Sequence, residues 1–291
     1  MARTILVSAS DAKFFYFLED LLATIEDGAR RDGFDIAVLD VGLAPEQRTK
    51  LEQRGILVRE PALDYDISFF KTAPEPFFRS MTARPHLPRH LPGYDVYVFL
   101  DADCWVQDWE AVRLYVSSAM STGLSLTPEV DRSYGVVFPP ITVAEFRLNT
   151  YRRCFEEKAA RSLAVFPMIN SGIFAARGDS PVWEKWSNLL GHLYKRTGEA
   201  FFFAEQSAIN ALIRSEAVSA ALLPSRCNWM CNRAIPVLRQ NATVLCEPQP
   251  PFTPLGIIHL TGQDKDRMVE MSDENGRKVT RSFRFQRPGG A

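Results

Sequence analysis

Leu91-Pro-Gly-Tyr-Asp-Val-Tyr-Val-Phe-Leu100-Asp101-Ala102-Asp103 joins two signals in one short stretch. A Pro-Gly break precedes the apolar run Tyr94–Leu100, whose aromatic and β-branched residues read as a buried strand. Two carboxylates follow at its carboxyl end. In an open α/β sheet, ligands bind beyond the carboxyl ends of the strands. Residues two apart on an extended segment point to the same side, so Asp101 and Asp103 address one point with only Ala102 between them. Side by side they repel unless a cation sits there. A hard divalent ion with oxygen ligands fits, and such an ion can bridge to a substrate diphosphate. The other reading is a strand-ending turn whose aspartates cap the backbone of Cys104–Val106.

Outward from this stretch, strands and helices alternate. Thr4–Val7 reads as a buried strand. Phe14 to Arg31 then places Phe14, Phe17, Leu18, Leu21, Leu22 and Ile25 at helical spacing, and Gly33 closes that helix. Phe34–Leu39 is a second strand, Pro45 opens a helix that Gly55 stops, and Ile56–Val58 is a third strand. Short apolar strands separated by helices mean βαβ units and a parallel sheet with helices on its faces. Residues 61–92 are broken by prolines into short helical pieces. Further helices are expected at Trp109–Ser118, Val143–Ser162, Val182–Arg196 and Phe203–Arg214, and strands at Gly123–Leu126, Met168–Ala176 and Leu255–Leu260. The expectation is a single α/β domain over 1–265, with a nucleotide-binding half (1–107) and an acceptor-facing half (108–265). From 266 to 291 a polar, basic tail carries no core pattern.

Composition narrows the classes. With 34 basic and 35 acidic residues among 291, the chain lacks the basic excess of a nucleic-acid binder. Its 46% apolar content is ample for a buried core. No run approaches the roughly 18 apolar residues of a membrane span. The start, Met-Ala-Arg-Thr before Ile5-Leu-Val7, has no signal-peptide core, so a cytoplasmic location is expected. Cys104, Cys154, Cys227, Cys231 and Cys246 read as buried free thiols. Cys227-x-x-x-Cys231 has no second pair of Cys or His at zinc spacing.

A second cluster of chemistry lies downstream. The strand ending at Ile258 runs into His259-Leu-Thr-Gly262-Gln-Asp-Lys265. His259 can supply a nitrogen ligand, Gly262 lets backbone approach a phosphate, and Lys265 offers it a point charge. Together with Asp101 and Asp103 this supplies ligands for both a metal and a diphosphate.

The set Asp101-Ala102-Asp103 with His259-x-x-Gly262-x-x-Lys265 resembles the retaining glycosyltransferases of family 8 over most of the chain, from Thr4 to Lys265. The resemblance implies a GT-A fold, a Rossmann-like mixed sheet flanked by helices. It also implies a nucleotide-sugar donor, UDP-linked in most of the family, with Mn²⁺ or Mg²⁺ held by Asp101, Asp103 and His259. Donor contacts are implied for Asp11, Phe14, Arg84, Ala102, Gly262 and Lys265. Asn170-Ser171-Gly172 matches the segment beside the donor sugar, and Glu205-Gln206 matches an Asp-Gln pair at the reacting face, which makes Asn170, Glu205 and Gln206 the catalytic candidates. Lys13 and Phe14 replace the family's usual Asn and Tyr, and Asp266-Arg267 its Pro-Trp. Glu129 and Asp131 stand at another strand end, and either could be the carboxylate on the acceptor or sugar side.

The implied reaction transfers a sugar, with retention, to a glycan or lipid-linked acceptor. Two other classes compete. A haloacid-dehalogenase-type phosphatase also uses Asp-x-Asp after an apolar strand, but near its N-terminus and not followed by Cys-Trp. A non-catalytic nucleotide-sugar or carbohydrate-binding protein would share the fold. In the tail, Arg277, Lys278, Arg281, Arg284 and Arg287 surround Phe283 and Phe285 without an acidic residue after Arg277. Such a segment can hold a protein at an anionic inner membrane face; the alternative is a final strand with both phenylalanines packed on the body.

Overall fold

Side chains of the strand Val96–Leu100 alternate between two apolar clusters. Val96, Val98 and Leu100 join Leu18, Leu22, Val112 and Tyr115, whereas Tyr97 and Phe99 join Phe174, Trp186 and Tyr194. Every residue of the strand is buried, so the sheet is covered on both faces. The computed structural model describes residues 2–134, 140–239, 243–273 and 275–286. In chain order its first strands are β1 (Thr4–Ser10), β2 (Asp35–Asp40), β3 (Leu57–Arg59), β4 (Val96–Leu100), β5 (Cys104–Val106), β6 (Leu124–Pro128), β7 (Ile169–Arg177) and β8 (Ala221–Leu222). All but β5 form one sheet in the order β3-β2-β1-β4-β7-β6-β8. The first four run parallel, as the βαβ pattern requires. Strand β7 lies antiparallel to both β4 and β6, so the sheet is mixed, as the resemblance implies, and parallel only in the βαβ part.

The helices are α1 (Phe15–Asp32), α2 (Pro45–Gln53), α3 (Phe78–Ala83), α4 (Leu87–His90), α5 (Glu110–Thr122), α6 (Pro140–Cys154), α7 (Glu157–Ala164), α8 (Val182–Thr197) and α9 (Ala204–Arg214). Helices α1 and α5 cover one face of the sheet, and α3, α8 and α9 the other. The single helix expected over Val143–Ser162 is two, because Glu156 is extended (φ −64°, ψ 153°). The break lets Tyr151 of α6 and Ala160 of α7 close on the same residue, Met168. One straight helix could not present both.

Beyond the main sheet come β9 (Trp229–Met230), β10 (Val237–Arg239), β11 (Val244–Cys246), β12 (Ile257–His259), β13 (Met268–Ser272) and β14 (Lys278–Ser282). Strand β12 pairs antiparallel with β5 and parallel with β9, which sets His259 opposite both Cys104 and Met230. This small sheet carries the downstream histidine to the carboxylates. Cys227 and Cys231, the sequence's one zinc-like pair, pack in different apolar clusters.

The reading of 266–291 as a tail without a core pattern is corrected. Strands β13 and β14 form a hairpin, and Val269, Met271 and Phe283 are buried with Phe17, Trp105 and Trp229. Trp105 Nε1 donates to Phe283 O at 2.8 Å, and the Phe285 ring lies 5.6 Å from that of Trp105. Arg284 pairs with Asp20 at 2.8 Å. The hairpin was illegible because its alternation runs through charged residues and only one of its faces is apolar. Both phenylalanines face the body, as the packed-strand alternative has it; Arg287 lies outside the described residues. Phe283→Ala is therefore expected to destabilise the fold by about 2 kcal/mol, the burial of one aromatic side chain, as measured by urea denaturation. No described helix is long and apolar enough to cross a membrane.

Candidate donor and metal site

The carboxylates converge through a turn rather than through strand alternation. The Cys104 N–H donates to Asp101 O at 3.0 Å, folding the segment back as it leaves β4. Asp101 N–H donates to Gly172 O at 2.7 Å and Leu260 N–H to Asp103 O at 2.9 Å, so β7 and the exit of β12 hold the turn from two sides. His259 Nε2 then lies 3.5 Å from Asp103 Oδ1 and 3.8 Å from Asp101 Oδ2. Both carboxylates named from the sequence as metal ligands therefore face the same imidazole nitrogen.

The residues fit a hard divalent ion. Gly172 borders these side chains, and a Cβ there would stand 2.4 Å from Asp101 Oδ2 and 2.6 Å from His259 Cε1. Only glycine leaves the space open. Two carboxylates and an imidazole form an oxygen-rich donor set of the kind that suits Mn²⁺ or Mg²⁺. The Cys104 sulfur is also close to Asp103 and His259, but its thiol packs in the apolar cluster under the sheet. Burial pushes that thiol well above its ordinary pKa, which keeps it protonated.

Arg84 organises the other side. It sits in a short turn, Arg84–His86, between α3 and α4, with its guanidinium 4.7 Å over the Phe99 ring. From there it donates to Asp101 Oδ1, to Glu205 Oε2 at 2.9 Å, and to the Ser171 carbonyl and hydroxyl at 3.3 Å each. Burial pushes the Asp101 carboxyl up; Arg84 opposes this and the neighbouring Asp103 adds to it. Burial also disfavours the charge on Asp103, but His259 and Lys265 outweigh it and hold that carboxyl well below its usual range. Glu205 is raised from 4.5 to about 7 by burial, despite Arg84 and the Ser171 hydroxyl.

Further along the same edge, Asn170, Gln206 and Glu129 form a polar group. Glu129 Oε1 accepts from Gln206 Nε2 at 3.3 Å and Asn170 Nδ2 at 3.4 Å, and its Oε2 pairs with Arg233 at 2.8 Å. Asp131 instead accepts from the Ser133 backbone at 2.8 Å and from the Ser225 hydroxyl, and neither contact joins this group. Of the two, Glu129 is the one that joins the polar group of Asn170 and Gln206.

Asp101, Asp103, His259, Lys265, Arg84, Glu205, Asn170 and Gln206 thus belong to one connected network. Glu205 is the surprise, because it is fully enclosed against Arg84 and Ser171 rather than lying on an exposed face. Lys265 donates to Asp103 and, at 2.8 Å, to Leu260 O. Gly262 has φ +97°, a conformation only glycine adopts without strain. Ala102 turns its methyl into the apolar cluster beneath. Asp11 and Phe14 lie apart, at the end of β1 beside β4. Asp11 Oδ1 accepts the Phe14 N–H at 2.9 Å, in a local turn just before α1. A cavity of about 510 Å³ is lined by Gly42, Leu43, Leu63, Pro76 and Phe78, and Asp11 Cβ is 3.6 Å from where a Gly42 Cβ would be. Sequence reasoning missed Asn228, which bridges His259 and Asn170 (2.9 and 3.0 Å), and Arg233. Neither sits in a motif, since their positions follow from the pairing of β9 with β12.

The mixed seven-stranded sheet, covered by helices on both faces, has the GT-A fold. Similar solved structures include the galactosyltransferase LgtC in complex with donor and acceptor sugar analogues, at TM-score 0.56 and 15% identity over 89% of this chain and 87% of that one. The bifunctional glycosyltransferase WbbM matches at TM-score 0.56 and 15% identity over 90% of this chain and 46% of its own. Mouse xyloside xylosyltransferase 1 matches at TM-score 0.50 and 11% identity over 79% and 87%. No family model and no curated protein matches the sequence.

Proposed function

We propose that this chain is a metal-dependent glycosyltransferase that moves a sugar from a nucleotide-sugar donor, a UDP-sugar, to a glycan or lipid-linked acceptor with retention. The observation that carries the proposal is that Asp101 and Asp103 both face His259 Nε2, beside space that Gly172 keeps open. The glycosyltransferase neighbours support the same class by fold.

Asp101, Asp103 and His259 would hold the ion, which when bound supplies positive charge to the diphosphate of the donor. Lys265 keeps the Asp103 carboxylate in place and has a third N–H to offer a phosphate oxygen. Asp11 and the exposed ring of Phe14, at the end of β1, would flank the base. At the reacting face Gln206 is a neutral amide and a poor nucleophile, so it serves by orienting the sugar and stabilising positive charge at the anomeric carbon. Glu129 presents a carboxylate beside it, fixed by Arg233. Arg84 and Glu205 lie one layer back and set the position of Asp101 and Ser171.

A thermal-shift screen of nucleoside diphosphates with and without Mn²⁺ tests the reading, since a ligand of the folded state raises its melting temperature by mass action. UDP is expected to stabilise the protein only when Mn²⁺ is present; stabilisation by no nucleotide would refute it. Lys265→Ala is expected to weaken UDP binding about tenfold or more while leaving uridine binding nearly unchanged, because its charge addresses the phosphates. Equal losses in calorimetric titrations of both ligands would assign Lys265 a structural role instead. NMR of freshly formed product is expected to show the donor's anomeric configuration retained.

A further inference from the structure

The hydrogen bonds behind His259 determine which of its ring nitrogens carries the proton. A backbone N–H can only donate, and that of Gly172 points at the Asn170 side chain at 2.9 Å, so the Asn170 atom receiving it is the carbonyl Oδ1. The same oxygen is 3.0 Å from the Asn228 side chain, which must therefore present its Nδ2 there. The remaining amide atom of Asn228, its Oδ1, is then the one 2.9 Å from His259 Nδ1. An amide oxygen only accepts, so in the neutral ring Nδ1 bears the hydrogen and Nε2 is a bare lone pair. That lone pair faces Asp101 and Asp103 at 3.8 and 3.5 Å. Asn228, Asn170 and His259 are all buried, so water does not compete for these bonds.

We infer that Asn228 is a positioning residue: it holds His259 in the tautomer that turns a bare Nε2 toward the two carboxylates, through a relay that starts at the Gly172 backbone. The role rests on the metal reading of the site. Metal-bound histidines depend on such a partner on the other nitrogen for orientation and basicity, and its loss typically weakens metal binding about 10–100-fold. The relay also gives Gly172 and Asn170 a second task, because both the open space and the polarity of the chain come from the same stretch of β7.

Two measurements test this. Nitrogen-15 NMR of the metal-free wild-type protein, at a pH where the ring is neutral, is expected to show Nδ1 protonated and Nε2 bare; the opposite tautomer overturns the relay. Titration with MnCl₂ alone is expected to give about 10–100-fold weaker binding for Asn228→Leu. Asn228→Asp still offers Nδ1–H an acceptor and is expected to recover much of that affinity and the wild-type tautomer, even where its melting temperature is as low as that of Asn228→Leu. Loss of affinity that tracks melting temperature in both variants overturns the positioning role, as does wild-type affinity in Asn228→Leu. If the wild-type protein binds no Mn²⁺, the metal reading fails and takes this role with it. A wrong tautomer with Mn²⁺ binding intact removes the relay alone.

Discussion

Replacing Asp101 and Asp103 together by asparagine is expected to lower sugar transfer at least about a thousandfold while the chain stays folded. The size follows from what the pair does. The two carboxylates would hold the cation that offsets the charge of the leaving diphosphate, and losing one such stabilising group costs about 10²–10³ in rate. Folding should survive because asparagine keeps the shape and still accepts from Arg84 and Lys265. Burial and the neighbouring Asp103 already disfavour the charge on Asp101, so neutralising it relieves a repulsion as well as removing a partner. The check is the transfer rate with Mn²⁺ alongside far-ultraviolet circular dichroism. Full turnover by the double variant in the presence of a chelator would refute the metal assignment.

The parts of this site that were legible in the sequence are those encoded by a strand and its end. Val96–Leu100 announces itself by uninterrupted burial, and whatever follows such a strand lands at the ligand-binding edge of the sheet. His259 was legible for the same reason. Even there the route differed, since Asp101 and Asp103 converge by a turn held by Gly172 and Leu260 rather than by extended alternation. Asn228 could not be found in this way, because its partners are 58 and 31 residues away and meet it only through the pairing of β9 with β12. The Cys227-x-x-x-Cys231 spacing around it drew attention to sulfur instead. Glu205 was legible as a position and not as a role. Local pattern places it at the start of a helix, but only the packed structure shows Arg84 closing over it. The antiparallel insertion of β7 was likewise invisible to local pattern, since a fully buried strand shows no polar side from which its direction could be inferred.

Arg84→Leu is expected to destabilise the fold by about 3–5 kcal/mol near pH 8.5, because it strands two buried carboxylates that share one guanidinium. The loss should depend on pH with a definite sign. Glu205 titrates at about 7 in the folded protein against 4.5 for the free side chain, so between those values the folded state binds more protons than the unfolded chain. Stability from this group is therefore fully present below pH 4.5 and falls as pH rises through 7. Arg84 opposes that rise, as it does for Asp101, so its removal moves both carboxyls further up and extends the decline to higher pH. The gap between variant and wild type should be small near pH 5.5 and widest near pH 8.5, as read by urea denaturation at the two values. Glu205→Gln in the Arg84→Leu background should narrow the alkaline gap, since the amide brings no charge to bury. A gap of equal size at both pH values would mean that the loss comes from the missing stacking on Phe99 rather than from the stranded charges.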